Sequence, residues 1–179
     1  MRGVVLVLAL AGLVACGSPD DKPPAPTSPP TPTLTTPPTV TESFSLSPLL
    51  DGATCDLVER DLRARLGLDV EGSAYARDGI HTCTWEEDGM SGIGLTISVR
   101  SESDPLGDDY DHPDAQVTEV GGFPAILVAV QPDFVCDIAV KTAPDQGFTV
   151  LYGALDQTLD SCGGARMVAD QLAARVREG

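Results

Sequence analysis

Apolar residues follow different rhythms along the chain, and each change of rhythm marks a segment. After Arg2 comes an apolar run from Val4 to Val14. It is too short for ~30 Å of hydrocarbon, which takes about 20 apolar residues, so residues 1–15 predict a secretory signal sequence. The pattern then disappears. Residues 17–48 hold ten of the fifteen prolines and are otherwise mainly threonine and serine, so residues 16–48 predict a disordered Pro/Thr-rich tether. In polyproline II geometry, at about 3.1 Å per residue, such a tether reaches roughly 100 Å. Periodicity resumes at Leu49, and residues 49–179 are long enough for one domain with its own core.

Within that domain the first rhythm is helical. Cys55, Val58, Leu62 and Leu66 share one face at three- and four-residue spacing, Thr54 is placed to cap and Gly67 to stop, which predicts a helix over 55–66. Strand-like alternation follows. Cys83 and Trp85 share a face, Ile93, Leu95, Ile97 and Val99 alternate with Gly94, Thr96, Ser98 and Arg100, and Asp88-Gly89 lies between, so 83–99 predicts a β-hairpin. Residues 101–114 lack periodicity and predict a loop. Strands are expected over 117–120, over 125–130 as a continuous apolar run buried on both faces, over 134–141, and around Phe148, Val150 and Tyr152. The last element is a helix over 161–177, with Ala165, Val168, Ala169, Leu172 and Val176 as its buried stripe, capped by Asp160 or Ser161.

Helix, antiparallel meander, helix defines an α+β fold: a sheet of about five or six strands flanked by an N-terminal and a C-terminal helix. The cysteines sharpen this picture. Apart from Cys16 the domain holds four, Cys55, Cys83, Cys136 and Cys162, an even number that in an exported chain predicts two disulfides. Their spacing contains no CxxC pair and lacks the paired knuckles of a zinc module. Cys55 and Cys162 fall in the first turns of helices, Cys83 and Cys136 on inward faces of strands. The simplest pairing joins Cys55 to Cys83 and Cys136 to Cys162; the two other pairings stay open at this point.

Charge removes some functions. Residues 49–179 carry 24 Asp and Glu against nine Lys and Arg, and the whole chain has a net charge of −16. That field repels phosphate backbones and anionic head groups, so no nucleic-acid partner is expected. Chemistry is sparse too. No GxSxG, P-loop, HExxH or SxxK pattern occurs, and oxidised cysteines supply no thiolate. His81 sits on a strand and His112 in the acidic loop with Asp104, Asp108, Asp109, Asp111 and Asp114. Such a density of carboxylates suits Ca²⁺, which takes about six to eight oxygen ligands, but the order misses the EF-hand spacing and its glycine. The cluster therefore reads as a solvated loop, and no catalytic residue, cofactor or metal is expected.

Two resemblances complete the reading. Leu13-Val14-Ala15-Cys16 resembles the bacterial lipobox, which implies cleavage before Cys16, lipid on that cysteine, and attachment to the extracytoplasmic face of the cell membrane. The tether, Cys55 opening the first helix, Cys83-Thr84-Trp85 on a strand, Val120-Gly121 before an apolar strand, Cys136 and Cys162 together resemble the actinobacterial lipoproteins grouped as domain of unknown function 3558 (DUF3558). One departure is that Thr54 stands where members often have proline before the cysteine. The resemblance implies fold, location and disulfides but no activity. The function expected is a non-catalytic module binding a small ligand or an envelope protein; the alternative is an envelope hydrolase using His112 and a nearby Asp.

Overall fold

The computed structural model describes residues 40, 43–50, 53–86, 94–107, 112–131, 134–154 and 160–179. Seven strands form one sheet: β1 (Ser73–Arg77), β2 (Ile80–Glu86), β3 (Gly94–Arg100), β4 (Ala115–Val120), β5 (Phe123–Gln131), β6 (Val135–Ala143) and β7 (Gln146–Gly153). They lie in the order β1-β2-β3-β7-β6-β5-β4, and every neighbouring pair is antiparallel. The α+β class and the antiparallel sheet stand as expected; the strand count is seven rather than five or six. The strand that alternation did not reveal is β1, whose five residues are all exposed, so it has no apolar face to show. Its signal lay in the turn. Asp78 (φ 50°) and Gly79 (φ 75°) are the two left-handed central residues of a type I′ hairpin turn joining β1 to β2. Gly121 and Gly122 (φ 57° and 84°) make the same kind of turn between β4 and β5.

The predicted hairpin over 83–99 is present as β2 and β3, with Cys83 opposite Ile97 and Trp85 opposite Leu95. Its turn, including Asp88-Gly89, lies outside the described residues.

The predicted helix over 55–66 is corrected to two pieces. A 3-10 turn spans Thr54–Leu57, Val58 is extended (φ −97°, ψ 115°), and α2 spans Arg60–Arg65. Thr54 does not cap; Ala53 holds that position and makes no side-chain cap bond. Burial explains the break. A continuous helix with Val58, Leu62 and Leu66 inward would turn Leu57 roughly 100° away from Val58. The extended residue allows Leu57, Val58, Leu62 and Leu66 all to be buried. Gly67 ends α2 in the left-handed region, as read from the sequence.

Packing also starts ahead of Leu49. Phe44 donates its N–H to the Thr142 carbonyl (3.1 Å), and its ring meets Phe123 edge-on at 5.0 Å. Leu46 and Leu49, flanking the start of α1 (Ser47–Leu50), are buried. The boundary drawn from proline content thus falls inside a segment that already belongs to the core, because composition does not register two or three apolar anchors among polar residues.

The C-terminal helix α3 (Ser161–Glu178) follows its pattern closely. Ala165, Val168, Ala169, Leu172 and Val176 are all buried, and Asp160 caps the helix by accepting from the N–H groups of Cys162 and Gly163. It packs on β6 and β7. Under it and the N-terminal segments lies the main core, which takes Cys83 and Trp85 from β2, Leu95, Ile97 and Val99 from β3, Cys136, Ile138 and Val140 from β6, and Phe148, Val150 and Tyr152 from β7. Each aliphatic or phenylalanine side chain among them, fully buried, contributes about 1.5–3 kcal/mol. Tyr152 also satisfies its hydroxyl by donating to the Leu66 carbonyl at 2.9 Å.

Candidate functional site

Four places in the fold gather chemically distinctive side chains. The first is the disulfide pair. Cys55 is bonded to Cys83 and Cys136 to Cys162, with Cα–Cα distances of 5.1 and 5.0 Å. The pairing preferred from sequence is the one present. Each bond ties a helical start to the strand that faces it, and loops of 28 and 26 residues give each about 3.5 kcal/mol in the chain-entropy model.

The second is a niche around Trp85. The indole is fully buried, the Arg63 guanidinium lies 5.9 Å from its ring centroid, and Arg63 Nη1 donates to the Val70 carbonyl at 3.4 Å. Gly72 closes the niche. A Cβ there would stand 2.6 Å from both Trp85 Nε1 and Cys83 Sγ and 2.8 Å from Cys55 Sγ, so only a residue without one lets the chain pass this close. The sequence places Trp85 on an inward strand face but does not show the roles of Arg63 and Gly72, because these depend on a contact between segments that no local pattern records. Arg63 Nε is buried without a hydrogen-bond partner among the described residues. The niche is filled by protein and reads as a structural knot under the first disulfide.

The third is the acidic loop. Asp104 is not free to hold a cation: its Oδ2 is paired with the Lys141 ammonium and its Oδ1 accepts from the Leu106 N–H at 3.0 Å. Lys141 is largely buried, and Pro105 packs over Gly147. Leu106 enters a second, small apolar cluster with Ala115, Ile126, Val128 and Ala139 on the sheet face opposite the helices. This segment is therefore a strap fastened by one ion pair and one leucine. It also explains why β5 is apolar without interruption: Phe123 and Ala125 face the main core, and Ile126 and Val128 face the strap. His112 Nδ1 accepts from the Asp114 N–H at 3.2 Å. Asp108, Asp109 and Asp111 lie outside the described residues, as does Cys16. Among the described residues no group of three His, Cys, Asp or Glu side chains is placed to hold a metal ion. His81, on β2, pairs in register with Val99 and Ala76.

The fourth is an open hollow of ≈ 430 Å³ where the chain enters the domain, between Ser43, Phe44 and Ser45 on one side and Ala143, Pro144 and Asp145 on the other. Its lining carries the Asp145 carboxylate, the Phe44 ring and the hydroxyls of Ser43 and Ser45, the latter donating to Ser47 Oγ at 2.9 Å. Among the described residues no helix is long and apolar enough to cross a membrane.

A helix-backed, seven-stranded antiparallel sheet with two disulfides joining helical starts to strands defines the class. Within it, the chain matches the family model "Protein of unknown function (DUF3558)" over residues 11–175 and belongs to that family. No curated protein and no solved structure matches it.

Proposed function

We propose that the protein is an actinobacterial lipoprotein, anchored through lipid on Cys16 to the extracytoplasmic face of the cell membrane, whose domain binds a small ligand or an envelope protein without catalysis. The observation that carries this reading is Leu13-Val14-Ala15-Cys16, which lies inside the stretch matched by the family model. Two disulfides agree with an oxidising compartment outside the cytoplasm. Acyl chains bury about 0.8 kcal/mol per CH₂, so two or three make attachment lasting. Contact surfaces that support a binding role are the strap, the hollow beside Phe44 and the half-buried hydroxyls of β2 and β3. The hydrolase reading gains no support: His112 Nδ1 accepts from the backbone N–H of Asp114, and the loop carboxylate of Asp104 is engaged with Lys141.

Cys16→Ala tests the anchor. Expressed in an actinobacterial host, the wild-type chain should fractionate with membranes and show the mass of an acylated N-terminal cysteine. The variant should appear in the medium with its disulfides formed. Membrane fractionation that is unchanged by the substitution, or a wild-type mass without acyl groups, would overturn the reading.

A further inference from the structure

We infer that β1 is a self-complementary docking edge, through which two copies of this chain pair antiparallel about a two-fold axis at Ala74. Among the described residues β1 is the outermost strand and is bonded on one side alone, to β2. In the hairpin closed by Asp78-Gly79, Arg77 and Ile80 face each other at the turn. In such a ladder Ser73, Tyr75 and Arg77 spend their N–H and C=O groups on β2, whereas Ala74 and Ala76 direct theirs outward.

Outer strands are ordinarily blunted by shortness, by charged side chains, by proline, by a bulge, by an inward charge or by a cover. Strand β1 is short and ends in Arg77, but among the described residues it has none of the other devices. It contains no proline, its register against β2 runs without a break, and all five residues are exposed. Tyr75, at 60% exposure, is the most exposed of the large hydrophobic side chains described.

Only registers that set outward-facing residues opposite one another form bonds, and the charges choose among them. With Ala74 opposite Ala74 of the second copy, Ala76 meets Gly72, and Glu71 meets Arg77 twice by symmetry. Tyr75 meets Ser73, which makes the two tyrosines diagonal neighbours on one face, within reach of each other. Sliding by two residues toward the turn sets Glu71 against Gly79 and removes both ion pairs; sliding by two the other way sets Glu71 against Tyr75 and calls on Asp69, beyond the bend at Val70, to meet Arg77. Arg77 is free to turn: its present partner is the neighbouring Asp78 at 2.9 Å, with both side chains more than 70% exposed, and such pairs are weak. The opposite outer strand, β4, offers no equivalent. Its Thr118 hydroxyl is engaged by Arg166 at 3.4 Å, and pairing it with itself about Val117 brings no opposite charges together.

An edge of five residues buries less than the ~1,200 Å² of a standard interface, so the pairing is weak and isologous. Sedimentation equilibrium of the full chain in a density-matched detergent, up to about 1 mM protein, tests it, since that range captures dissociation constants up to millimolar. The wild-type average mass should climb toward twice the monomer. Ala76→Pro removes an outward N–H without touching the β2 ladder and should keep the chain monomeric, as should Arg77→Glu, which sets like charges opposite. Glu71→Arg combined with Arg77→Glu should restore the dimer. A wild-type chain that stays monomeric at the highest concentration, variants that dimerise like the wild type, or a charge swap that fails to restore pairing each overturn the inference.

Discussion

On β3, Leu95, Ile97 and Val99 turn under the helices and none is more than 1% exposed, while the residues between them, Thr96, Ser98 and Arg100, face the other way and stay half-buried. The same division runs across the sheet. The closed face is covered by α3, the 3-10 turn and the N-terminal segment, is held by two disulfides, and packs large side chains against one another. The open face has hydroxyl pairs on one half, Thr82 with Ser98 and Thr96 with Thr84, each at 3.2 Å. On its other half Leu106 covers four small or branched residues. The closed face is where stability resides, and the open face is where contacts can be exchanged at small cost.

Trp85→Ala should give the largest effect. The indole fills the centre of the closed face, and its neighbours, a disulfide and Gly72, cannot collapse into the space left. The expected loss is about 3–5 kcal/mol in urea unfolding. A loss under about 1.5 kcal/mol would mean that the niche repacks and that the two faces do not differ in this way.

Leu106→Ala is the matching cut on the open face and should cost less, about 2 kcal/mol, the low end for such truncations. Leu106 belongs to a cluster of five, against the far larger cluster around Trp85. The variant should also expose residues 104–107 to proteolysis while the N–H groups of β3 and β7 keep their hydrogen-exchange protection. Equal costs for Leu106→Ala and Trp85→Ala, or loss of protection in β3, would show that the strap is part of the main cooperative unit.

The same contrast governs what could be read from the sequence. Period-two and period-3.6 patterns report burial against a large cover, so β2, β3, β6, β7 and α3 are all legible, and with them the positions of Cys83, Cys136 and Cys162. The pattern fails where burial is local or missing. Strand β1 exposes every residue, the first helix breaks so that Leu57 and Val58 can both turn inward, and Leu106 is a single apolar residue in an aperiodic acidic loop. Asp104 looked like a member of a carboxylate cluster because its partner, Lys141, is 37 residues away on another strand. The lipobox needed no fold at all to be legible, since it is a local signal.

The smallest expected effect lies on the open half of β2 and β3. In Thr84→Val combined with Thr96→Val, both members of a hydrogen-bonded pair are replaced by groups of the same shape. No donor or acceptor is left unmatched, so stability should stay within about 0.5 kcal/mol of wild type. The mirror change one residue along, Ile97→Thr, puts a hydroxyl into the closed face where Cys83 and Val150 flank it in register, and should cost about 2 kcal/mol or more. Adjacent residues on one strand then differ at least fourfold in effect, a ratio set by which way each points. If the threonine pair instead proves as costly as Ile97→Thr, its hydroxyls carry a network that stabilises the fold, and the open face is a second structural surface rather than one left for contacts.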